Sequence, residues 1–188
     1  MACVQDVAKF FIDLAQKQSQ QDSGDLVTHL RLQKLIYFAQ GWHLARYDRP
    51  LFDAPIIAWK YGPAVNEVYQ TYSANHANGI TSDARTSADA FTSDEYALLL
   101  DVAREYDRFA TSALVDMTHE PESPWAQVKL HEMIPVRLIR DHFVARKPIQ
   151  FFDDILQNID HVEPVHDGSG YSVFPSSLDE DWGDYDAS

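Results

Sequence analysis

The chain has 188 residues, 45% of them hydrophobic and 12% aromatic, which fits one domain with a packed core rather than disorder. Its formal net charge is −14, unevenly placed: residues 1–150 carry 15 basic and 19 acidic side chains, and residues 151–188 carry 10 acidic and no basic ones. That sign disfavours direct contact with nucleic-acid phosphates and favours a basic protein partner reached by electrostatic steering. No apolar run approaches the roughly 20 residues of a membrane span. The N-terminus lacks the basic and apolar regions of a secretory signal. Cys3 is the single cysteine, so no internal disulfide framework exists and a reducing, cytoplasmic setting is expected.

Residues 2–18 form a first predicted helix, with Val4, Val7, Ala8, Phe11, Leu14 and Ala15 as its apolar stripe. The polar run QKQSQQDSGD follows as a linker or frayed end. Residues 28–46 form the central helix. Leu32, Leu35, Ile36, Ala39 and Trp42 line one face, while Leu30, Tyr37, Phe38 and Leu44 decorate the others. A helix apolar nearly all round is buried among its neighbours, and Thr28 is its expected N-cap.

Pro50, Pro55 and Gly62-Pro63 crowd the next segment, so a small extended or hairpin element is expected near 50–61. Pro63 is placed at the start of a third helix running toward Gly79, with Val65, Val68, Tyr69 and Tyr72 inward. Residues 79–91 have no periodicity and are expected to be a surface loop. Thr92-Ser-Asp-Glu95 has the spacing of a capping box and opens a fourth helix burying Leu98, Leu99, Val102 and Tyr106. A short helix from Thr111 turns Leu114, Val115 and Met117 inward. Another runs from Ser123-Pro124 through Val128 and Leu130. A last one begins at Pro135 and carries Leu138, Ile139, His142 and Phe143 on one face. The fold expected is mainly α, a compact multi-helix bundle around the central helix, with an acidic C-terminal extension. Its domains are 1–147 and 148–188, the latter a helix over 149–160 and an irregular tail with spaced aromatics.

Catalytic signatures are lacking. His131-Glu132 begins an HExxH-like string, but Pro135 stands where the second zinc ligand belongs. The eight histidines have no metal-ligand spacing, and Gly168-Ser169-Gly170 is neither a nucleophile elbow nor a phosphate loop. Asp153-Asp154 are adjacent, which on a helix suits solvation better than a shared proton. No catalytic residue, metal or cofactor is therefore assigned, and His119 is read as a buried hydrogen-bonding group or helix cap.

Three segments remain: Leu32-Gln-Lys-Leu-Ile-Tyr-Phe-Ala-Gln-Gly-Trp-His-Leu44; Pro50-Leu51-Phe52 with Ile57-Ala-Trp-Lys-Tyr-Gly-Pro63 and Glu67-Val68-Tyr69; and Ser112-Ala113-Leu114 with Thr118-His119-Glu120 and Ser123-Pro124-Trp125. In order and spacing they resemble the Panacea domain, the SocA-like antitoxin domain of toxin–antitoxin loci, over about residues 4–145. Ala64 departs from the pattern, which usually has Val there.

The resemblance implies a mostly helical, non-enzymatic module that binds a cognate toxin encoded beside it. Translation-blocking enzymes acting on tRNA or nucleotides are among the toxins it implies. Two alternatives stay open: an adaptor that delivers the toxin to a protease, and a cryptic enzyme. The motif positions, structural or interfacial, are Gln33, Lys34, Tyr37, Trp42, Trp59, Tyr61, Gly62, Pro63, Tyr69, His119, Pro124 and Trp125. Its polar members Gln33, Lys34, His43, Lys60 and Glu67 either satisfy backbone groups around the Trp59–Pro63 turn or face the toxin. In the acidic extension, Phe151, Phe152, Asp153, Asp154, Tyr171, Phe174 and Trp182 are the candidate partner-binding residues, because aromatic anchors dominate interface energetics. The partner is expected to present a basic surface. Neither nucleic acid nor membrane is expected as a partner, and homo- and hetero-oligomers both remain open.

Overall fold

A helix without a polar face needs neighbours on every side, and the central helix has them. The computed structural model describes residues 1–22, 25–82, 86–151, 165–166 and 172–173. The chain divides into two units, 1–150 and 151–188. In the first, α1 (Val4–Asp22) precedes α2 (His29–Tyr47), the hairpin strands β1 (Ile56–Trp59) and β2 (Gly62–Val65), and α3 (Asn66–Tyr72). Then come α4 (Ser93–Asp107), α5 (Thr111–Thr118) and α6 (Val136–Ala145), with short 3-10 turns at Ser73–Asn75 and Ala88–Ala90. α2 touches all five other helices and β2. Every residue from Leu32 to Leu44 is buried.

Local chemistry explains where the helices begin. Thr28 has extended dihedrals and its hydroxyl accepts from the Arg31 amide, while Asp48 closes α2 in the left-handed region with its amide on Leu44 O. At α4 both bonds of the capping box form: Glu95 N donates to Thr92 Oγ1 at 3.3 Å, and Thr92 N donates to Glu95 Oε2 at 3.0 Å.

The core is aromatic where α2, α4 and α6 meet. Phe38 stacks on Tyr106 with centroids 4.0 Å apart, and Trp42 stands edge-on to Phe143 at 5.1 Å. Trp42 Nε1 donates to the Tyr106 hydroxyl at 2.9 Å. Burial pushes that phenol up to about 12. Gly41 lets α6 approach closely enough for the Phe143 ring to lie against the α2 backbone, because a Cβ there would overlap the ring. Gly41→Ala should therefore destabilise the fold by about 2–3 kcal/mol, read as a lower urea midpoint at unchanged m-value.

Three expectations are corrected. Pro63 does not open α3. It lies in β2, which pairs antiparallel with β1 in the register Ile56↔Val65, Ile57↔Ala64, Ala58↔Pro63 and Trp59↔Gly62. The hairpin thus spans 56–65, and α3 begins at Asn66 and ends at Tyr72, well before Gly79. Pro63 is tolerated because the amide it lacks would face away from β1. Residues 123–130 are turns rather than a helix. Ser123 Oγ accepts from the Ala126 amide at 3.2 Å as an N-cap would, but the segment continues as turns, with the Trp125 indole bonded to Trp59 O of the hairpin. Residues 131–134 then run beside the free edge of β1. Ala58 N donates to Glu132 O at 2.9 Å, and Ile134 N donates to Ile56 O at 2.8 Å.

Residues 148–151 are not helical, so the start of the helix expected at 149–160 is absent; the rest of it lies outside the described residues. In the second unit β3 (Val165–His166) pairs antiparallel with β4 (Ser172–Val173), regular structure that no periodicity announces. Among the described residues no helix is long and apolar enough to cross a membrane.

Candidate functional site

The motif set centres on the β1–β2 hairpin: Gln33, Lys34, His119 and Trp125 hold its backbone, Trp59, Tyr61, Gly62 and Pro63 belong to it, and Tyr37 and Trp42 pack instead against Phe143. Gln33 is buried on α2 and acts as a peptide group in side-chain form. Its Oε1 accepts from Val65 N at 2.7 Å and its Nε2 donates to Val65 O at 3.2 Å. The next residue, Lys34, reaches the same strand, where Nζ donates to Pro63 O at 3.0 Å. Lys34 is only 1% exposed, and no carboxylate pairs with it among the described residues. Burial without a counter-charge pushes this amine down to about 7.

The side of the hairpin toward α5 is held as firmly. Trp125 Nε1 donates to Trp59 O at 2.8 Å. The His119 ring places Nδ1 2.7 Å from Val115 O and Nε2 3.3 Å from Lys60 O, and either tautomer ties it to one of these carbonyls. The same ring lies against Trp125 with centroids 3.9 Å apart. At the turn, Gly62 has φ +97, and the space a Cβ would need is filled by Thr118 Oγ1 and Lys34 Nζ.

Further along α2, Gln40 repeats the device. Its Oε1 accepts from Leu51 N at 2.8 Å and its Nε2 donates to Phe52 O at 3.0 Å, which fixes the chain entering the hairpin. His43 is fully buried with Nδ1 2.7 Å from Arg49 O, and burial lowers its pKa. Sequence reasoning missed the bracing role of Gln40 and the hydroxyl of Thr118. A polar residue in an otherwise apolar helix was the available signal, but its partners come from elsewhere in the chain.

The motif set is therefore divided by the fold. Gln33, Lys34, Tyr37, Trp42, Gly62, Pro63 and Pro124 are buried. Trp59, His119 and Trp125 are half-buried. Tyr61 and Tyr69 are exposed at 57% and 40%, as are Lys60 and Glu67. The Lys60 ammonium lies 5.2 Å from the Tyr61 ring centroid, and Tyr69 packs edge-on against Trp59 at 4.7 Å. Of the candidates in the acidic extension, Phe151 is buried; Phe152, Asp153, Asp154, Tyr171, Phe174 and Trp182 lie outside the described residues. No group of three or more His, Cys, Asp or Glu side chains among the described residues could hold a metal ion.

Comparison with known proteins accords with this geometry. The family model described as Antitoxin SocA-like, Panacea domain, matches residues 32–126, the stretch from the start of buried α2 through the brace at Trp125. Antitoxin SocA of Caulobacter vibrioides (strain NA1000 / CB15N) is 32% identical over 109 residues, covering 53% of this chain and 58% of that protein. The chain thus matches little more than half the length of that relative. No solved structure matches. With half of its length matched by the family model, the chain belongs to the SocA-like antitoxin, Panacea domain family.

Proposed function

We propose that this chain is an antitoxin that neutralises a cognate protein toxin by direct binding, covering the toxin's active or substrate-binding surface. One observation carries the reading. The polar motif residues Gln33 and Lys34 are buried and bonded to hairpin backbone, so the motif builds a rigid recognition scaffold rather than a set of accessible reacting groups. The relative's printed name, an antitoxin, supports the same role. The acidic 151–188 segment, with 10 acidic side chains and no basic one, complements a basic surface of the kind that binds tRNA or nucleotides.

Co-expression with the product of the neighbouring reading frame tests this. That product alone should arrest growth, and this chain should restore growth and co-purify with it. Replacing the ten acids of 151–188 by their amides should cost the complex at least tenfold in affinity at low salt. Rescue without a complex would move the function to protease delivery, and a harmless neighbour would remove the antitoxin reading.

A further inference from the structure

We propose that Asn78 is a self-modification site: the chain converts its own Asn78–Gly79 bond to an isoaspartyl bond and so loosens the entry to α2. The reaction needs only the chain and water, whatever toxin the chain binds.

The residue pair supplies the chemistry. Asn78 is followed by glycine, and no other asparagine in the chain is. A glycine nitrogen has no side chain beside it, so it reaches the preceding Cγ with the least hindrance. Gly79 N attacks Asn78 Cγ, the bond from Cγ to the side-chain nitrogen breaks, and ammonia leaves with the proton that Gly79 N gave up. One water then opens the five-membered imide. Opening at Cγ gives an ordinary aspartyl bond. Opening at the Asn78 main-chain carbonyl leaves the chain running through Cβ and Cγ. Nothing is oxidised or reduced.

The fold leaves both reacting groups free. Asn78 is exposed, just past the 3-10 turn at Ser73–Asn75. Among the described residues neither its side-chain amide nor the Gly79 N–H makes a hydrogen bond. No bond has to break before they meet.

Packing also forces the labile pair and gives its conversion a consequence. A Cβ at position 79 would overlap Leu26 Cβ, so glycine is required there. Gly79 bridges to Thr28, the N-cap of α2, and Ile80 N donates to Val27 O at 2.9 Å. Val27 and Ile80 are both buried. An isoaspartyl bond lengthens the main chain by one carbon directly before this crossing, and Gly79, tight against Leu26, has no room to slide. The bridge to Thr28 and the bond to Val27 O then weaken, and buried backbone groups that lose their partners destabilise the fold.

The test incubates the purified full chain at mildly alkaline and mildly acid pH. Each asparagine is followed by peptide mass mapping, and enzymatic methylation serves as the specific probe for isoaspartyl carboxylates. Asn78 should gain the mass of an amide-to-acid exchange, faster at the alkaline pH and at a rate independent of protein concentration. It should convert at least about tenfold faster than Asn66 or Asn75, which precede residues with side chains. Asn78→Gln, whose longer side chain closes a ring far more slowly, should abolish the methylation. The converted fraction, separated by its added negative charge, should have a lower urea midpoint than the starting chain. Asn78→Asp adds the same charge on an unaltered main chain and should keep the starting midpoint. Conversion at Asn78 no faster than at Asn66 or Asn75 overturns the site. So does methylation that persists in Asn78→Gln, or conversion that occurs only in urea, because the fold would then protect the pair. An unchanged midpoint in the converted fraction, or an equal fall in Asn78→Asp, overturns the loosening of α2.

Discussion

Gly62→Ala is expected to lower stability by about 3–5 kcal/mol, more than any other single methyl added to the hairpin. Two costs combine. A backbone at φ +97 is strained for any residue with a Cβ. The new methyl would also overlap Thr118 Oγ1, which is buried and donates to Val115 O at 2.7 Å, and Lys34 Nζ, which holds Pro63 O. His119 Cε1, 3.3 Å away, limits retreat on the third side. The measurement is a urea titration followed by tryptophan fluorescence, since Trp59 and Trp125 sit on the bracing contact. A variant within about 0.5 kcal/mol of wild type would show that the tip can shift freely, and the rigid platform would be lost with it.

Lys34→Met is expected to stabilise the protein at neutral and acid pH and to remove a pH dependence. In the fold the Lys34 amine is held down at about 7 by burial, against an ordinary value of 10.5. Below pH 7 folded and unfolded chains both bind the proton, and the folded state bears the full cost of a buried ammonium. Between the two values the unfolded chain binds the extra proton, so stability rises with pH; above 10.5 the cost is gone. From pH 6.5 to pH 9 this amounts to about 3 kcal/mol in the wild type, at 1.36 kcal/mol per pH unit above the folded value. Met matches the length and flexibility of the lysine stem and forfeits the bond to Pro63 O, a loss of about 1 kcal/mol. The variant's advantage should therefore be largest at pH 6.5 and shrink by about 3 kcal/mol at pH 9. Parallel stability curves for the two chains would mean that Lys34 is not the group responsible. Growth rescue by Lys34→Met would separate a bracing lysine from one that the toxin reads.

Both substitutions act at the junction of α2 and the hairpin, the region that also carries the exposed tip. A hairpin whose carbonyls at Trp59, Lys60, Pro63 and Val65 all meet side chains from other elements gives up stability at Lys34 and gains a fixed backbone. The same geometry limits what the motif can do chemically, because Gln33 and Lys34 are bonded inward and Gly62 leaves no space beside them.

The sequence by itself determined the elements whose causes are local. The Thr28 cap, the Thr92–Glu95 box, the all-round apolar surface of α2 and the stripes of α1 and α4 depend on residues three or four positions apart. Those interactions form within one helix and are written in its spacing. The three recognition segments were legible too, and they bound the matched region 32–126.

Tertiary structure decided the rest, because each remaining choice depended on a partner far along the chain. Pro63 could start a helix or sit in a strand, and Lys34 with Gln33, about thirty residues earlier, favoured the strand. Residues 131–134 carry little strand signal, yet β1 had an unpaired edge and buried backbone groups must be bonded. The polar motif residues could face inward or outward on pattern alone. Long-range hydrogen bonds turned Gln33 and Lys34 inward to the hairpin backbone, and Lys60, Tyr61, Glu67 and Tyr69 stayed at the surface.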